Sequence, residues 1–76
     1  MSGAIVKRSV VVAGHPTSVS LEPAFWDALK ELAVARGLST AALIAEIDRE
    51  RAGNLSSAIR VHVLNELRGR AAGPPL

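Results

Sequence analysis

Two alternating serines, Ser18 and Ser20, and a basic pair, Lys7 and Arg8, are the residues best placed to do chemistry here. What they offer is hydrogen bonding and charge rather than bond breaking. Cysteine is absent and only His15 and His62 carry imidazoles, so no metal site is expected. There is no Gly-rich phosphate loop, no nucleophile elbow and no cluster of His, Cys and carboxylates. An enzyme is therefore not expected, and no cofactor is implied. Residues 1–20 hold Lys7 and Arg8 and no acid, while residues 21–50 hold six acids against three bases. Residues 51–76 hold four arginines against Glu66 alone. The bases thus gather toward the two ends. The N-terminal arms of two subunits could build a nucleic-acid surface from them, and the same distribution also suits an ordinary solvated surface.

The elements that must position these residues follow from pattern. Thr17-Ser18-Val19-Ser20-Leu21 alternates polar and apolar, the period of a half-buried strand. Ser18 and Ser20 share one face; Val19 and Leu21 share the other. Upstream, Arg8–Ala13 is β-branched and could form a strand, interrupted by the turn residues Ala13-Gly14-His15-Pro16. Pro23 suits the first turn of a helix over about 23–36, with Glu22 as N-cap and Leu21 and Trp26 as a hydrophobic staple. Phe25, Trp26, Leu29 and Leu32 trace its apolar stripe, and Gly37 ends it. Ser39 caps a second helix over about 40–51, whose apolar face is Leu43, Ile44 and Ile47. Asn54 caps a third over about 55–68, with Leu55, Ile59, Val63 and Leu67 at every fourth position. Val61 and Leu64 make this helix more apolar than one covered face requires. Residues 1–6 read as a flexible start and 69–76 as a disordered tail, leaving 7–68 as one domain.

Size adds a constraint. A lone chain of 76 residues buries about 60–65% of its unfolded surface, and small domains usually add a staple or a partner. The composition is 49% hydrophobic with 3% aromatic, rich in apolar residues for so short a chain. With no cysteine to staple it, oligomerisation is the expected source of extra core. A single five-residue strand also needs a partner, because its backbone groups would otherwise be unpaired. No apolar run is long enough to span a membrane and no signal peptide stands out, so a cytoplasmic protein is expected.

A strand leading into a helix, then Gly-x-Ser, then a second amphipathic helix, resembles the ribbon-helix-helix repressors of the Arc, MetJ and CopG kind. Lys7-Arg8-Ser9, Thr17–Pro23 with Phe25-Trp26, Gly37-Leu38-Ser39 and Asn54–Arg60 are similar to a bacterial ribbon-helix-helix domain family that adds a third helix. The likeness covers about residues 7–68. It implies a mostly α fold, with one strand per subunit (about 17–21) paired antiparallel across a homodimer. Val19, Leu21, Phe25, Trp26, Leu29, Leu43 and Ile47 would form the dimer core. It implies base contacts from Ser18 and Ser20. Phosphate contacts would come from Leu38 and Ser39 at the helix start and from Lys7 and Arg8 on a flexible arm. Pro16 departs from the pattern, standing where related ribbons commonly carry a base. The function implied is a dimeric, DNA-binding transcription regulator. An oligomeric scaffold module of the same fold, extended to tetramers or beyond through the third helix, is the alternative. An antitoxin is a second alternative.

Overall fold

A computed structural model of the chain describes residues 4–51 and 53–72. Its elements run β1 (Val6–Val12), β2 (His15–Leu21), α1 (Pro23–Ala35), α2 (Thr40–Glu50) and α3 (Leu55–Ala72). The two strands form one antiparallel ribbon, and three helices follow. The ribbon-helix-helix layout with an added helix is thus the observed fold.

The ribbon is made within one chain. β2 is longer than the 17–21 expected, and its pairing partner is β1 rather than a second copy's strand. The register runs from Val6↔Leu21 through Ser9↔Ser18 to Val12↔His15. Ala13 and Gly14 close the hairpin with φ of 52° and 82°. Two successive positive φ values define a type I′ turn, whose twist matches that of the strands it joins. A two-residue loop closes on a hydrogen-bonded pair, and the pairs alternate from there. Val12↔His15, Val10↔Thr17, Arg8↔Val19 and Val6↔Leu21 therefore exchange ladder bonds. Val11, Ser9 and Lys7, like Pro16, Ser18 and Ser20 opposite them, turn their backbone groups away from the partner strand. Pro16 thereby finds its physical account: its missing N–H is one the ladder never uses.

The helix boundaries are set by local chemistry. The carbonyl of Glu22 accepts the first helical bond, from Trp26 N–H at 3.0 Å. At the other end, Leu38 N–H donates to the Ala33 carbonyl at 2.9 Å and Gly37 N–H to the Val34 carbonyl at 3.0 Å. With Gly37 at φ 70°, this is a Schellman cap. Ser39 Oγ accepts from Ala42 N–H, and Asn54 Oδ1 from Ser57 N–H, both at 3.0 Å. Helix α3 does not stop at Arg68; it continues through Gly69 to Ala72, so residues 69–72 are helical rather than tail. Residues 1–3 of the expected flexible start and 73–76 of the expected tail lie outside the described residues.

One chain closes its own core. Val19, Leu21, Leu29, Leu43 and Ile47 are buried within the chain, joined by Val12, Leu32, Ala33, Ile44, Ile59 and Val63. Phe25 and Trp26 are only half-buried, packed against the edge of that cluster. Within the chain, β1 and α3 wall this core. No described helix is long and apolar enough to cross a membrane.

Ala13 is the one described non-glycine residue with positive φ. Left-handed backbone costs an L-residue about 1–2 kcal/mol, and Asn tolerates it best. Ala13→Asn should therefore raise stability by roughly 0.5–1 kcal/mol, read as a higher urea midpoint at unchanged slope. An unchanged or lower midpoint would contradict the turn assignment.

Candidate nucleic-acid interface

The outward face of the ribbon collects most of the polar residues singled out by sequence. Alternation puts Lys7, Ser9 and Val11 of β1 on it, facing Ser20, Ser18 and Pro16 of β2 in that order. Ser18 is exposed and Ser20 half-buried; Lys7 and Ser9 are exposed. Three hydroxyls and one ammonium thus form a strip two residues wide. Ser9 was not among the expected contacts. Its signal was the Lys-x-Ser-x-Val alternation over residues 7–11, in a run read as a possible strand without its faces being assigned.

Arg8 goes the other way. One residue of offset turns it to the inner face, opposite Val19, where its guanidinium lies 4.7 Å from the Trp26 ring centroid. Neither Lys7 nor Arg8 is on a free arm; both belong to β1. The cation lies over the face of the half-buried Trp26 ring, a cation–π contact of the kind that also shields apolar surface. The expected phosphate role of Arg8 therefore competes with this stacking.

Helix α3 holds the far edge of β2. Ser20 N–H donates to Ser56 Oγ at 3.0 Å, and the Ser20 carbonyl accepts from Arg60 Nη2 at 3.0 Å. Arg60 Nε donates to Glu22 Oε1 at 2.9 Å, just where the ribbon becomes α1. The Glu22 backbone amide, and after it the Arg60 hydrogen bond, hold the Glu22 carboxyl below its ordinary value of 4.5. Sequence reading saw Asn54-Leu55-Ser56-Ser57 only as a helix start, because nothing in periodicity reveals a contact 36 to 40 residues away.

The Gly37–Ser39 corner is a separate feature. Leu38 is half-buried in the Schellman turn and Ser39 exposed, with its hydroxyl already bonded to Ala42. The N–H groups of Thr40 and Ala41, at the first two helical positions, have no intrahelical acceptor and could meet a phosphate. The other end of α2 lies by the hairpin turn, where Asp48 and Arg51 share a cleft with Ala13 and His15. Eleven residues of helix place Ser39 about 16 Å from that end.

Ion pairs thin out the acids. Glu22 pairs with Arg60, Glu46 with Arg36 at 2.9 Å, Asp48 with Arg51 at 2.6 Å and Asp27 with Lys30 at 3.6 Å. Glu66 lies 3.6 Å from His62. The acidic stretch 46–50 is thereby largely tied to cations of its own neighbourhood, and no acid stands on the outward ribbon face. Such surface pairs contribute little to stability, but they set the local field.

Comparisons with known proteins agree with this geometry. The family model described as "Ribbon-helix-helix domain" matches residues 5–67. Among solved structures, an uncharacterized protein from Bordetella pertussis Tohama I is similar, with a TM-score of 0.80 and 35% sequence identity. The match covers 95% of this chain and 62% of that one, so the chain spans less than two thirds of its structural relative. No curated protein matches.

Removing the Arg60 guanidinium leaves the Ser20 carbonyl without its partner. Arg60→Ala should cost about 1–3 kcal/mol, against under about 0.5 for Ser18→Ala on the open face, measured by denaturant unfolding. Glu22, with a lowered folded pKa, adds stability that is fully present above about pH 4.5 and is lost as pH falls through the lower folded value. That acid loss should shrink in Arg60→Ala. Equal acid sensitivity in both proteins would show that the pair does not act as described.

Proposed function

The chain belongs to the ribbon-helix-helix domain family, and on that premise we propose that it is a DNA-binding transcription regulator. It acts as a homodimer and lays the outward ribbon face into the major groove. The observation that carries this reading is the strip Lys7, Ser9, Ser18 and Ser20, with no acid on its face. The major groove, about 12 Å wide, admits a two-stranded ribbon. Side chains on one face repeat about every 6.8 Å along each strand. Serine hydroxyls donate or accept, so they fit several base edges. Lys7 can reach guanine O6 and N7 or a phosphate. The open N–H groups at the start of α2 supply a phosphate anchor beside the corner formed by Leu38 and Ser39.

A second reading, an oligomeric scaffold module, draws support from α3. Val61, Leu64 and Leu67 are 55%, 49% and 44% exposed. Leu67 also lines an apolar cleft with Phe25, Ala28 and Val63. A chain acting this way would form species larger than a dimer and ignore DNA at moderate salt.

A gel-shift series on the DNA upstream of its own gene, at two salt concentrations, separates the readings. The regulator should bind with an affinity that falls steeply with salt. Ser18→Ala with Ser20→Ala should erase sequence preference more than total binding, and Lys7→Ala should weaken binding to all sequences and flatten the salt slope. Sequence-independent binding unaffected by the double serine change would overturn base reading by the ribbon.

A further inference from the structure

The two serines of β2 share a face but are not held alike. Ser18 and Ser20 both turn their backbone groups away from β1, toward the far edge of β2. At Ser18, among the described residues, no hydrogen bond beyond the hairpin ladder reaches those groups. At Ser20 both are engaged. Its N–H donates to Ser56 Oγ and its carbonyl accepts from Arg60 Nη2, each at 3.0 Å. Ser56 and Arg60 lie one helical turn apart on α3, so a single face of one helix supplies both groups. Arg60 Nε also donates to Glu22 Oε1 at 2.9 Å, just past the end of the strand. A guanidinium is planar and donates in a rigid fork. It therefore fixes the Ser20 carbonyl and the Glu22 carboxylate relative to each other, where a point charge would only attract them.

We propose that Ser56 and Arg60 are positioning residues for base reading: by pinning the backbone of Ser20 they aim its hydroxyl, and Ser20 discriminates bases more sharply than Ser18. The reasoning is geometric. With the N–H and the carbonyl of one residue both fixed, the peptide planes on either side are fixed, and with them the direction of the Cα–Cβ bond. A serine reads a base through one short hydroxyl, without the bidentate fork that makes arginine self-orienting. Hydrogen bonds weaken steeply once misaligned, so what a hydroxyl can discriminate depends on how firmly its backbone is held. Ser18 has only the ladder of its neighbours for this. The inference rests on the regulator reading above and gives α3 a part in specificity that needs no contact with DNA.

Two gentle substitutions test this. Arg60→Lys keeps the charge but loses the fork, and Ser56→Ala removes the acceptor of the Ser20 N–H without touching charge. The probes are a duplex selected from random-sequence DNA by the wild-type full chain and a scrambled duplex of the same composition. The ratio of the two affinities is the sequence preference. A net hydrogen bond corresponds to about two- to tenfold in an equilibrium constant. Each substitution should lower the preference by about that factor, while affinity for the scrambled duplex and the salt slope stay unchanged. Ser56→Thr restores a hydroxyl and should restore the preference. In a Ser20→Ala background neither substitution should cause further loss, whereas in a Ser18→Ala background both should act in full. A merely structural role would lower both affinities together, as the folded fraction falls, in every background. Such a parallel loss, a loss of preference that persists in Ser20→Ala, or wild-type preference in both variants would overturn the proposal. A wild-type chain with no sequence preference would overturn the regulator reading itself and this inference with it, so the wild-type ratio alone tells the two failures apart.

Discussion

The structure depends on how the outward backbone groups of Ser20 are satisfied. A strand edge half-covered by a helix leaves donors and acceptors in a poorly hydrated place, and each left unpaired costs about 1–3 kcal/mol. Here the Ser56 hydroxyl accepts the N–H and the Arg60 guanidinium donates to the carbonyl. The same guanidinium reaches Glu22, so one side chain ties the last turn of the ribbon, the start of α1 and the second turn of α3. That junction fixes where α3 runs. With α3 in place, Ile59 and Val63 close the core over Leu21 and Leu29 without help from a second chain. The third helix is thus part of the ribbon's architecture rather than an appendage.

The same arrangement sorts the surface. Helix α3 and the missing N–H of Pro16 leave β2 a poor partner for another strand. Five of the seven acids stand beside a cation or a histidine, while the outward ribbon face carries hydroxyls and Lys7. On the proposed reading, such a face would position a nucleic acid by charge and read it with serines. Hydroxyls read bases less sharply than arginines, so on that reading a homodimer, by doubling the strip, would add to specificity.

Much of this was legible in the sequence because it is local. Ser39 and Asn54 cap helices through bonds three residues long, and Gly37 adopts the positive φ that its position after a helix requires. The alternation Ser18-Val19-Ser20-Leu21 places faces correctly. What escaped reading is what depends on distant contacts. Arg8–Ala13 was read as a possible strand, but Arg8 at an inward position hid which face was which, because Trp26 makes that site hospitable to a cation. With β1 unrecognised as the hairpin partner, β2 looked like an orphan strand. Phe25 and Trp26 were expected in a dimer core; within one chain their place at the ribbon–helix junction leaves them half-covered. Gly69, which costs a helix about 1 kcal/mol relative to Ala, suggested an end that α3 passes through.

Hydrogen exchange at two amides tests the central claim most directly. Ser18 and Ser20 both turn their N–H groups away from β1 along the same edge. If α3 holds that edge, the Ser20 amide is protected like the ladder amide of Val19, while the Ser18 amide exchanges fast. Fast exchange at Ser20, or equal protection of Ser18 and Ser20, would mean that α3 does not occupy the edge of β2, and the account built on it would fall.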